Sequence, residues 1–558
     1  MSFAVYFREE GYSLKSSKLM GRQAAGDSFL KGLFQHLTQD EFVAVVPDGV
    51  EAELFGEKLK LVNPKGIARH VQEFDLQGLS KLNGIFYPGP DVGRLAFQRS
   101  FFDLKSDSWS LTGITHTTSS SAAMDAITGL VTSPVQPWDA IICTSRAVKT
   151  NVETLLQAQV DFLQDRLGIT KIILPKLPII PLGVNTEDFA FTGDQKANAR
   201  NALGITKDTI VVLYVGRLAF HGKAHPFAMY SALQAAAKLT GKRILLLECG
   251  WHANDYIREA FWEAANYVCP DVQIKTMDGR DVKTKMRCWA SADIFCSLSD
   301  NIQETYGIAP VEAMAAALPA VISDWDGYKD TVRDGKDGFR IPTMSPAAGT
   351  CNDLAYRHAY NIDSYDMYIG QYSSLVSIQQ EKLTSAFVAL CNSDELRRDM
   401  GGSGARRARE MFDWKTIVPQ YENLWAEQTS IRLSSQRKHK DDQKNAVART
   451  IAWPARIDPS ISFANYGSKV LDDDTILTPT YLNPETASKI FEQHKKLAMI
   501  NYSGYIVPTA LEAEQIFKLA ATAHPKEIDL QLLLSAFTNK QRGYKVIAFL
   551  TKYGFFTF

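Results

Sequence analysis

The sequence predicts an α/β protein with two doubly wound domains that face each other across a cleft, followed by a smaller, mainly helical C-terminal extension. The chain has 558 residues, more than one hydrophobic core supports. Short apolar runs alternate with longer amphipathic stretches, and this pattern restarts near Asp208. A polar, highly charged segment then separates the C-terminal part from the rest.

The first predicted domain spans residues 1–190. Its strand-length apolar runs are EFVAVVP, KLNGIFYPG, WDAIICTS and KLPIIPLG. The amphipathic stretches between them include DSFLKGLFQHL and KTNVETLLQAQVDFL. Alternation of this kind is typical of βα units around a parallel sheet.

The second predicted domain spans residues 191–430. Its strand-like and helix-like segments are TIVVLYVGRL, ALQAAAKL, RILLLECG, SADIFCSLS, PVEAMAAALPAVIS and GFRIPT. Two adjacent doubly wound domains leave a cleft at the carboxyl ends of their strands, where ligands of this architecture bind. We therefore expect the functional site in that cleft.

A charged linker is predicted at residues 431–449, because SSQRKHKDDQKNAVAR is nearly free of large apolar residues. An extra domain is predicted at residues 450–558. It contains two amphipathic segments, TALEAEQIFKLAATA and IDLQLLLSAF, followed by an apolar stretch, KVIAFLTKYGFFTF, expected to form a terminal hairpin. The sequence assigns this domain no role.

Composition excludes several classes of function. The formal net charge is −1, so no global field attracts the chain to nucleic acid, and no nucleic-acid partner is expected. The amino terminus reaches charge at Arg8, and no apolar run has membrane-spanning length. Seven cysteines without a CxxC pair are typical of reduced thiols. We expect a soluble cytoplasmic protein.

No metal site is expected. His221 and His225 flank Lys223 at a spacing that metal ligands can have, but no further Cys, His or acidic residue lies nearby in the sequence to complete a site. Two surface-loop histidines are the simpler interpretation.

The strongest chemical signal lies in SLSDNIQETYGIAPVEAMAAA, where seven residues separate Glu304 from Glu312. Proline is tolerated only in the first turn of a helix, so Pro310 predicts a helix that begins near Ile308. Glu304 would then lie on the preceding loop, and Glu312 within the first two turns.

The predicted start of this helix is suited to an anion. Free backbone N–H groups of Tyr306, Gly307 and Ile308, with the helix dipole behind them, would hold a diphosphate, and Gly307 allows close approach. Carboxylates beside such a site can accept hydrogen bonds from sugar hydroxyls. Two glutamates at this spacing are by themselves more typical of a solvated helix face. The evidence for a binding site therefore comes from the residues around them.

This stretch resembles the Glu-x7-Glu signature of retaining glycosyltransferases of family 4, which have the B-type twin-Rossmann fold (GT-B). The resemblance implies that Glu304 holds hydroxyls of the donor sugar and that Glu312 binds the nucleotide ribose. It covers about residues 1–430 and is denser in the second domain. Asp330 stands where the family more often has a glutamate.

A second resemblance is in VVLYVGRLAFHGKAHP, which is similar to the Gly-Arg-Leu…Lys-Gly loop of the same family. The resemblance implies that Gly216 and Arg217 form a phosphate-side turn. Arg217 and Lys223 would neutralise the leaving diphosphate. Lys223 lies six rather than five positions after the arginine, and Gly222 precedes it where the family has a following glycine. A surface cation is therefore the alternative for Lys223.

The first domain offers weaker signals. KLMGRQAAGDSFLKGLF places Gly21 and Gly26 ahead of a helix and resembles the glycine-rich first loop of the family, with Gly21 as the donor-side residue. The G-x-G-x-x-G fingerprint is not matched, which disfavours a dehydrogenase. His116, in LTGITHTTSS, is expected at the carboxyl end of a strand, where it could contact the donor or serve as a structural histidine.

The resemblance implies a retaining hexosyltransferase that uses a nucleotide-diphosphate sugar, and we expect it to need neither metal nor cofactor. The expected catalytic residues are Glu304, Arg217, Lys223 and His116. The expected donor-binding residues are Glu312, Gly307, Tyr306, Ile308, Gly21 and Gly216. Attack from the face on which the leaving group departs is preferred, and double displacement through a carboxylate stays open.

Other functions remain open on the same fold. They are a phosphorylase or epimerase, and a catalytically inactive binding or assembly protein. The acceptor could be a glycan, a lipid-linked sugar, a protein or a small molecule. The C-terminal extension is expected to mediate peripheral membrane contact or self-association.

Overall fold

The computed structural model describes residues 3–13, 21–441, 451–522 and 527–558. The chain divides into two compact units, Met1–Trp453 and Pro454–Phe558, and the first contains both predicted α/β domains. Within the described residues, no helix has the length and apolar character needed to cross a bilayer.

The first domain is a parallel sheet of six strands in the order β3-β2-β1-β4-β5-β6. Its strands are β1 (Phe3–Tyr6), β2 (Glu41–Val46), β3 (Ile67–Gln72), β4 (Gly84–Phe86), β5 (Ser110–Ile114) and β6 (Ala140–Ile142). Its helices are α1 (Gly21–His36), α2 (Gly49–Val62), α3 (Leu76–Leu79), α4 (Val92–Phe102), α5 (Ser121–Gly129) and α6 (Arg146–Leu167). Neighbouring residues such as Ala4 and Val5 belong to different apolar clusters, so both faces of the sheet are covered.

The second domain repeats this arrangement with the order β12-β11-β10-β7-β8-β9. Its strands are β7 (Thr209–Val215), β8 (Arg243–Gly250), β9 (Gln273–Asp278), β10 (Ile294–Ser297), β11 (Ala320–Ser323) and β12 (Gly338–Ile341). The helices up to β12 are α7 (Gly193–Ala202), α8 (Phe227–Thr240), α9 (Asp255–Val268), α10 (Val282–Ser291), α11 (Ile308–Ala315) and α12 (Tyr328–Thr331). Val212 and Leu213 again point into different clusters.

Both sheets therefore have one topology. Numbered from the first strand of each domain, both orders read 3-2-1-4-5-6, which is the doubly wound order of Rossmann-like domains. In such sheets ligands bind beyond the carboxyl ends of the strands, at the point where the strand order reverses. That point lies between β1 and β4 in the first domain and between β7 and β10 in the second. The predicted fold class is confirmed.

A helical hairpin follows β12. The short strands β13 (Thr343–Met344) and β14 (Ser377–Ile378) pair in antiparallel fashion. The chain between them, residues 345–376, forms α13 (Asn352–Ala359) and α14 (Tyr365–Ser373). We refer to residues 345–376 as the helical hairpin.

The chain returns to the first domain at the end of the first unit. α15 (Gln380–Asn392) and α16 (Asp394–Met411) precede the long helix α17 (Trp414–Asp441). The Trp414 indole donates to Ser28 Oγ at 2.8 Å, and Gln428 bonds both Thr112 Oγ1 at 2.8 Å and Leu111 O at 3.0 Å. α17 thus packs on the first domain, whereas the sequence placed all of 191–430 in the second.

The structure also alters the predicted linker. α17 continues through residues 431–441, and Arg432 donates to the carbonyls of Asp107 and Ser108 at 3.1 Å each. The polar composition of this segment predicted a linker, but the segment is helical and its Arg432 side chain bonds to the backbone of the first domain. The rest of the predicted linker, residues 442–449, lies outside the described residues.

The C-terminal unit is mainly helical, as predicted, with a three-stranded antiparallel sheet in the order β16-β15-β17. Its elements are α18 (Pro459–Ser462), β15 (Ile476–Pro479), α19 (Pro484–Lys495), α20 (Ala498–Asn501), α21 (Ala510–Ala520), β16 (Ile528–Asp529), α22 (Leu530–Leu534), α23 (Lys540–Lys552) and β17 (Phe556–Thr557). The expected terminal hairpin is wrong. Val546, Ile547 and Leu550 are buried at helical spacing, so most of that stretch is α23.

One close approach in the first unit gives a test. A Cβ added to Gly32, inside α1, would lie 2.3 Å from the Trp414 ring, whereas one added to Gly56, inside α2, would meet only Ala68 Cβ at 3.9 Å. We expect Gly32→Ala to destabilise the chain by about 2 kcal/mol through overpacking. Gly56→Ala should instead be stabilising by roughly 0.5–1 kcal/mol because of helix propensity.

Thermal unfolding followed by circular dichroism measures both variants. Equal unfolding temperatures for the two variants would contradict the packing of α17 on α1.

Candidate active site

Two loops meet at the carboxyl edge of the second sheet, one after β7 and one after β10. The Asn301 side chain, 1% exposed, joins them: its amide donates to His221 O at 2.8 Å and its Oδ1 accepts from Gln303 N at 2.9 Å. Residues 216–223 and 300–307 therefore form one surface at the strand-order reversal. The sequence did not single out Asn301, although a polar residue just after a buried strand is a usable signal.

Glu304 lies at the centre of this surface. Its Oε2 forms an ion pair with Lys223 Nζ. Its Oε1 accepts from the backbone N–H groups of Thr305 at 3.2 Å, Tyr306 at 3.5 Å and Gly307 at 3.1 Å. The expectation that the N–H groups of Tyr306 and Gly307 are free is wrong in this state, because the Glu304 carboxylate occupies them.

The charge of Glu304 follows from these contacts. Burial acts to raise the pKa of this carboxyl, but the ion pair with Lys223 and the backbone donors outweigh it and hold the pKa below its usual value. Glu304 is therefore ionised at neutral pH, with a side chain only 10% exposed. An anion is stably held at this position.

The helix behind Glu304 begins at Ile308, as predicted. Gly307 has φ +80°, and a Cβ there would lie 1.9 Å from Tyr328 Cε1, so both conformation and packing require glycine. The Tyr306 side chain is 1% exposed and points into the core. Tyr306 can thus face the cleft only through its backbone.

Arg217 lies beside the same loop. Its Nη2 donates to Gly222 O at 2.9 Å and to Gln303 Oε1 at 2.9 Å. Among the described residues, Nε and Nη1 of Arg217 have no partner. Gly250 permits tight packing against this turn, since a Cβ on Gly250 would lie 2.0 Å from Gly216 O. The structure therefore brings Arg217, Lys223 and Glu304 together.

Glu312 points from α11 toward α10, where its Oε1 pairs with Lys285 Nζ at 3.0 Å. The Glu312 side chain is 11% exposed and that of Lys285 is 29% exposed, so this ion pair is accessible at its lysine end. Sequence reasoning missed Lys285. It lies in MDGRDVKTK, where only the packing of α10 reveals which lysine faces the glutamate.

The first domain contacts this surface at Thr305, a residue of the second domain. Thr305 Oγ1 donates to His116 O at 3.2 Å, and Ser145 Oγ donates to Thr305 O at 2.8 Å. Ser145 also caps α6. Arg146 bonds Asp330 through its backbone N at 2.7 Å and its Nε at 2.8 Å. His116 therefore lies at the cleft, directly after β5.

Gly21 is the first residue of α1, and a Cβ added to it would meet no described atom within 4 Å. Gly26 is the tighter position, because a Cβ there would lie 2.3 Å from Gly11 O. Residues 14–20, which precede Gly21, lie outside the described residues. The packing thus requires glycine at position 26 rather than at 21.

Two further buried acids border the site, and the sequence indicated neither. Burial raises the pKa of Asp300 to about 7. Burial, and then the nearby charge of Glu304, raise the pKa of Asp326 well above its ordinary value. Asp326 has φ +43°, and its Oδ2 has no hydrogen-bond partner among the described residues. Asp326 therefore places a carboxyl with a raised pKa and an oxygen without a described partner beside Glu304.

The comparisons concern part of the second domain. Residues 195–349 match the family model described as "Glycosyl transferases group 1". The matched residues include Arg217, Lys223, Glu304 and Glu312. The second domain is thus similar to group 1 glycosyl transferases over residues 195–349. Within the described residues, no group of three or more His, Cys, Asp or Glu side chains could hold a metal ion.

Curated relatives are distant and partial. A phosphatidyl-myo-inositol mannosyltransferase of Mycobacterium leprae (strain TN) is 29% identical over 156 residues, 27% of this chain and 32% of that protein. Its namesake from Mycobacterium tuberculosis (strain ATCC 25618 / H37Rv) is 24% identical over 262 residues, 46% of this chain and 56% of that protein. The chain thus spans between 32% and 56% of the length of these relatives.

The Anabaena Alr3699/HepE protein in complex with UDP and glucose has a TM-score of 0.49 and 13% identity, covering 76% of this chain and 99% of that chain.

The buried acid Asp300 predicts a pH-dependent stability. In the unfolded chain this carboxyl ionises near its ordinary value of 3.8, but the folded chain holds the proton to about 7, so folding stability falls as pH rises through that window. Asp300→Asn removes this cost. We expect the variant to be more stable than the native chain by on the order of 3 kcal/mol at about pH 8, and equally stable at about pH 4.

Thermal unfolding at the two pH values measures this difference, with the exposed Asp208→Asn as the matched control. A stability gain that does not change with pH would contradict the buried, protonated state of Asp300.

Proposed function

We propose that this chain is a retaining hexosyltransferase that moves a sugar from a nucleotide-diphosphate sugar to an acceptor hydroxyl without a metal ion. One observation carries the proposal. The Glu304 carboxylate is held by Lys223 and by the first backbone N–H groups before α11, next to Arg217, at the strand-order reversal. Cations and helix N–H groups that hold a carboxylate are suited to a phosphate.

Donor binding in this proposal exchanges one anion for another. The diphosphate takes the Lys223 ammonium and the N–H groups of the α11 tip from Glu304. The Nε–H and Nη1–H groups of Arg217, which have no partner among the described residues, each donate to a phosphate oxygen in this proposal. Glu304 is then released to accept hydrogen bonds from the hydroxyls of the donor sugar.

The remaining predicted residues have the following roles in this proposal. Glu312, which pairs with Lys285, binds the nucleotide ribose. Gly216, Tyr306, Gly307 and Ile308 contribute backbone, and a side chain at Gly307 would collide with the Tyr328 ring. From the first domain, His116 and Gly21 complete the cleft in this proposal.

The reaction proceeds on one face of the sugar. The bond from the anomeric carbon to the phosphate oxygen breaks while the acceptor oxygen bonds the same carbon from the same side, which retains configuration. The departing phosphate oxygen takes the acceptor proton. Arg217 and Lys223 stabilise the charge that develops on that phosphate, which is why a metal ion is not required.

The family match supports a sugar-nucleotide donor, since residues 195–349 contain every lysine, arginine and glutamate to which this proposal gives a role. The names of the relatives include mannosyltransferases of phosphatidyl-myo-inositol and a D-inositol 3-phosphate glycosyltransferase. They support a polyol hydroxyl as the acceptor.

The C-terminal unit has a docking role in this proposal, toward a membrane surface or a second copy of the chain. Its support is a run of exposed apolar side chains around α20, formed by Met499, Tyr502 and Tyr505. We also place the protein in the cytoplasm, which its seven free thiols support.

Glu304→Ala tests the proposal directly. Loss of the carboxylate removes the group that holds the donor sugar, so we expect turnover to fall by at least about 100-fold. The assay measures release of nucleoside diphosphate from UDP-, GDP-, ADP- and dTDP-glucose and from GDP-mannose. Proton NMR of the product reports whether the anomeric configuration is retained.

The matched control is Glu259→Ala, an exposed glutamate on α9. Equal turnover by Glu304→Ala, Glu259→Ala and the native chain would exclude Glu304 from the reaction. An inverted product would reject the same-face mechanism.

Nucleotide binding should not depend on a metal. We expect one nucleoside diphosphate of a UDP, GDP, ADP and dTDP panel to raise the unfolding temperature, equally with and without EDTA, because Arg217 and Lys223 supply the positive charge. At a concentration 100 times Kd the stabilisation is about 2.7 kcal/mol. Arg217→Ala should lose most of it, and a shift abolished by EDTA would refute metal independence.

A further inference from the structure

The helical hairpin, residues 345–376, is fastened to the phosphate-side loop after β7. Ile369 on α14 is fully buried, and its carbonyl accepts from Asn301 Nδ2 at 3.5 Å, the same amide that bonds His221 O. A Cβ on Gly370 would lie 3.0 Å from His221 Cβ, so α14 packs closely on that loop. The position of the loop that carries Arg217 therefore depends on α14.

The same hairpin is also fastened to the first domain, at the loop that follows β5. His358, at the end of α13, lies 3.1 Å from Ser121 Oγ through its Nε2 and stacks on Tyr368 with 4.1 Å between ring centroids. Tyr365, at the start of α14, has its hydroxyl 2.8 Å from Ser119 Oγ. The hairpin thus bonds both sides of the cleft.

A continuous chain of hydrogen bonds runs through Tyr365. Arg217 Nη2 donates to Gln303 Oε1 at 2.9 Å, and Gln303 Nε2 donates to the Tyr365 oxygen at 3.3 Å. Since that oxygen accepts from Gln303, its proton can be donated to Ser119 Oγ. Every donor and acceptor in this chain is used with the correct polarity.

We propose that Tyr365 is a positioning residue, whose hydroxyl fixes the Gln303 amide that orients Arg217 and joins this orientation to Ser119 of the first domain. This inference rests on the proposed function, because it concerns the arginine that would bind the leaving diphosphate. With Nη2 held by Gln303 and Gly222, the guanidinium has one orientation, and its Nε–H and Nη1–H groups are left to donate to the diphosphate. Tyr365 lies outside residues 195–349, which match the family model.

The consequence concerns the transition state more than donor binding. Charge on the departing phosphate grows as the sugar bond breaks, so a misplaced guanidinium costs more at that stage than in the bound donor. Because Ser119 belongs to the domain opposite the donor loop, Arg217 is correctly oriented only when the two domains are in the register that the structure has.

Tyr365→Phe removes only the hydroxyl. With the sugar nucleotide of the five-donor panel that the native chain uses best, we expect kcat to fall about tenfold while the donor KM changes less than about threefold. Ser119→Ala should lower kcat in the same direction by a smaller factor. The unfolding temperature should stay close to that of the native chain, which separates positioning from folding.

The double variant is decisive. Because both residues act through one hydrogen bond, Tyr365→Phe with Ser119→Ala should be no slower than Tyr365→Phe alone. Tyr360→Phe, an exposed tyrosine of the same hairpin, is the matched control and should keep native kcat.

Two results would overturn the inference and leave the proposed function intact: native kcat in Tyr365→Phe, or losses from the two single variants that multiply in the double variant. A native chain that turns over no sugar nucleotide of the panel would instead remove the proposed function, and the positioning role with it.

Discussion

The ionised Glu304 carboxylate, held by one lysine and the first N–H groups before α11, is the interaction on which the site depends. A carboxylate with a 10% exposed side chain is costly unless it is paired, and here Lys223 and three backbone donors compensate it. The same contacts keep Lys223 in the cleft and close the turn before the helix. One anion therefore organises two loops from different strands.

The surrounding sheet explains why those loops meet. β7 and β10 are neighbours at the reversal of strand order, so the chain leaves them in opposite directions and a crevice opens between the two loops. The buried amide of Asn301 spans that crevice. Thr305 connects the loop after β10 to the first domain through His116 and Ser145. The candidate site is thus formed by both domains, and hydrogen bonds from side chains to backbone carbonyls hold it together.

The contacts between the domains are distributed unevenly. α17 packs by its large aromatic side chains, with Trp414 against glycines of α1 and of the interdomain turn at residue 183. The helical hairpin instead bridges the cleft by single hydroxyl and imidazole bonds through Tyr365 and His358. Apolar packing of α17 fixes one side of the pair of domains, whereas the polar bridge beside the loop after β7 depends on the alignment of a few atoms.

The sequence by itself determined the two parallel sheets and the start of α11 at Ile308, because strand-length apolar runs and a proline in the first helical turn are local signals. The closeness of Glu304, Arg217 and Lys223 was predicted from the resemblance to a known family and not from these local patterns. Only the tertiary structure decided that α17 returns to the first domain, that Glu304 occupies the helix tip, and that Lys285, Asn301, Asp326 and Tyr365 belong to the site. Those contacts join residues far apart in the chain, and their energy comes from packing and desolvation that no local pattern encodes.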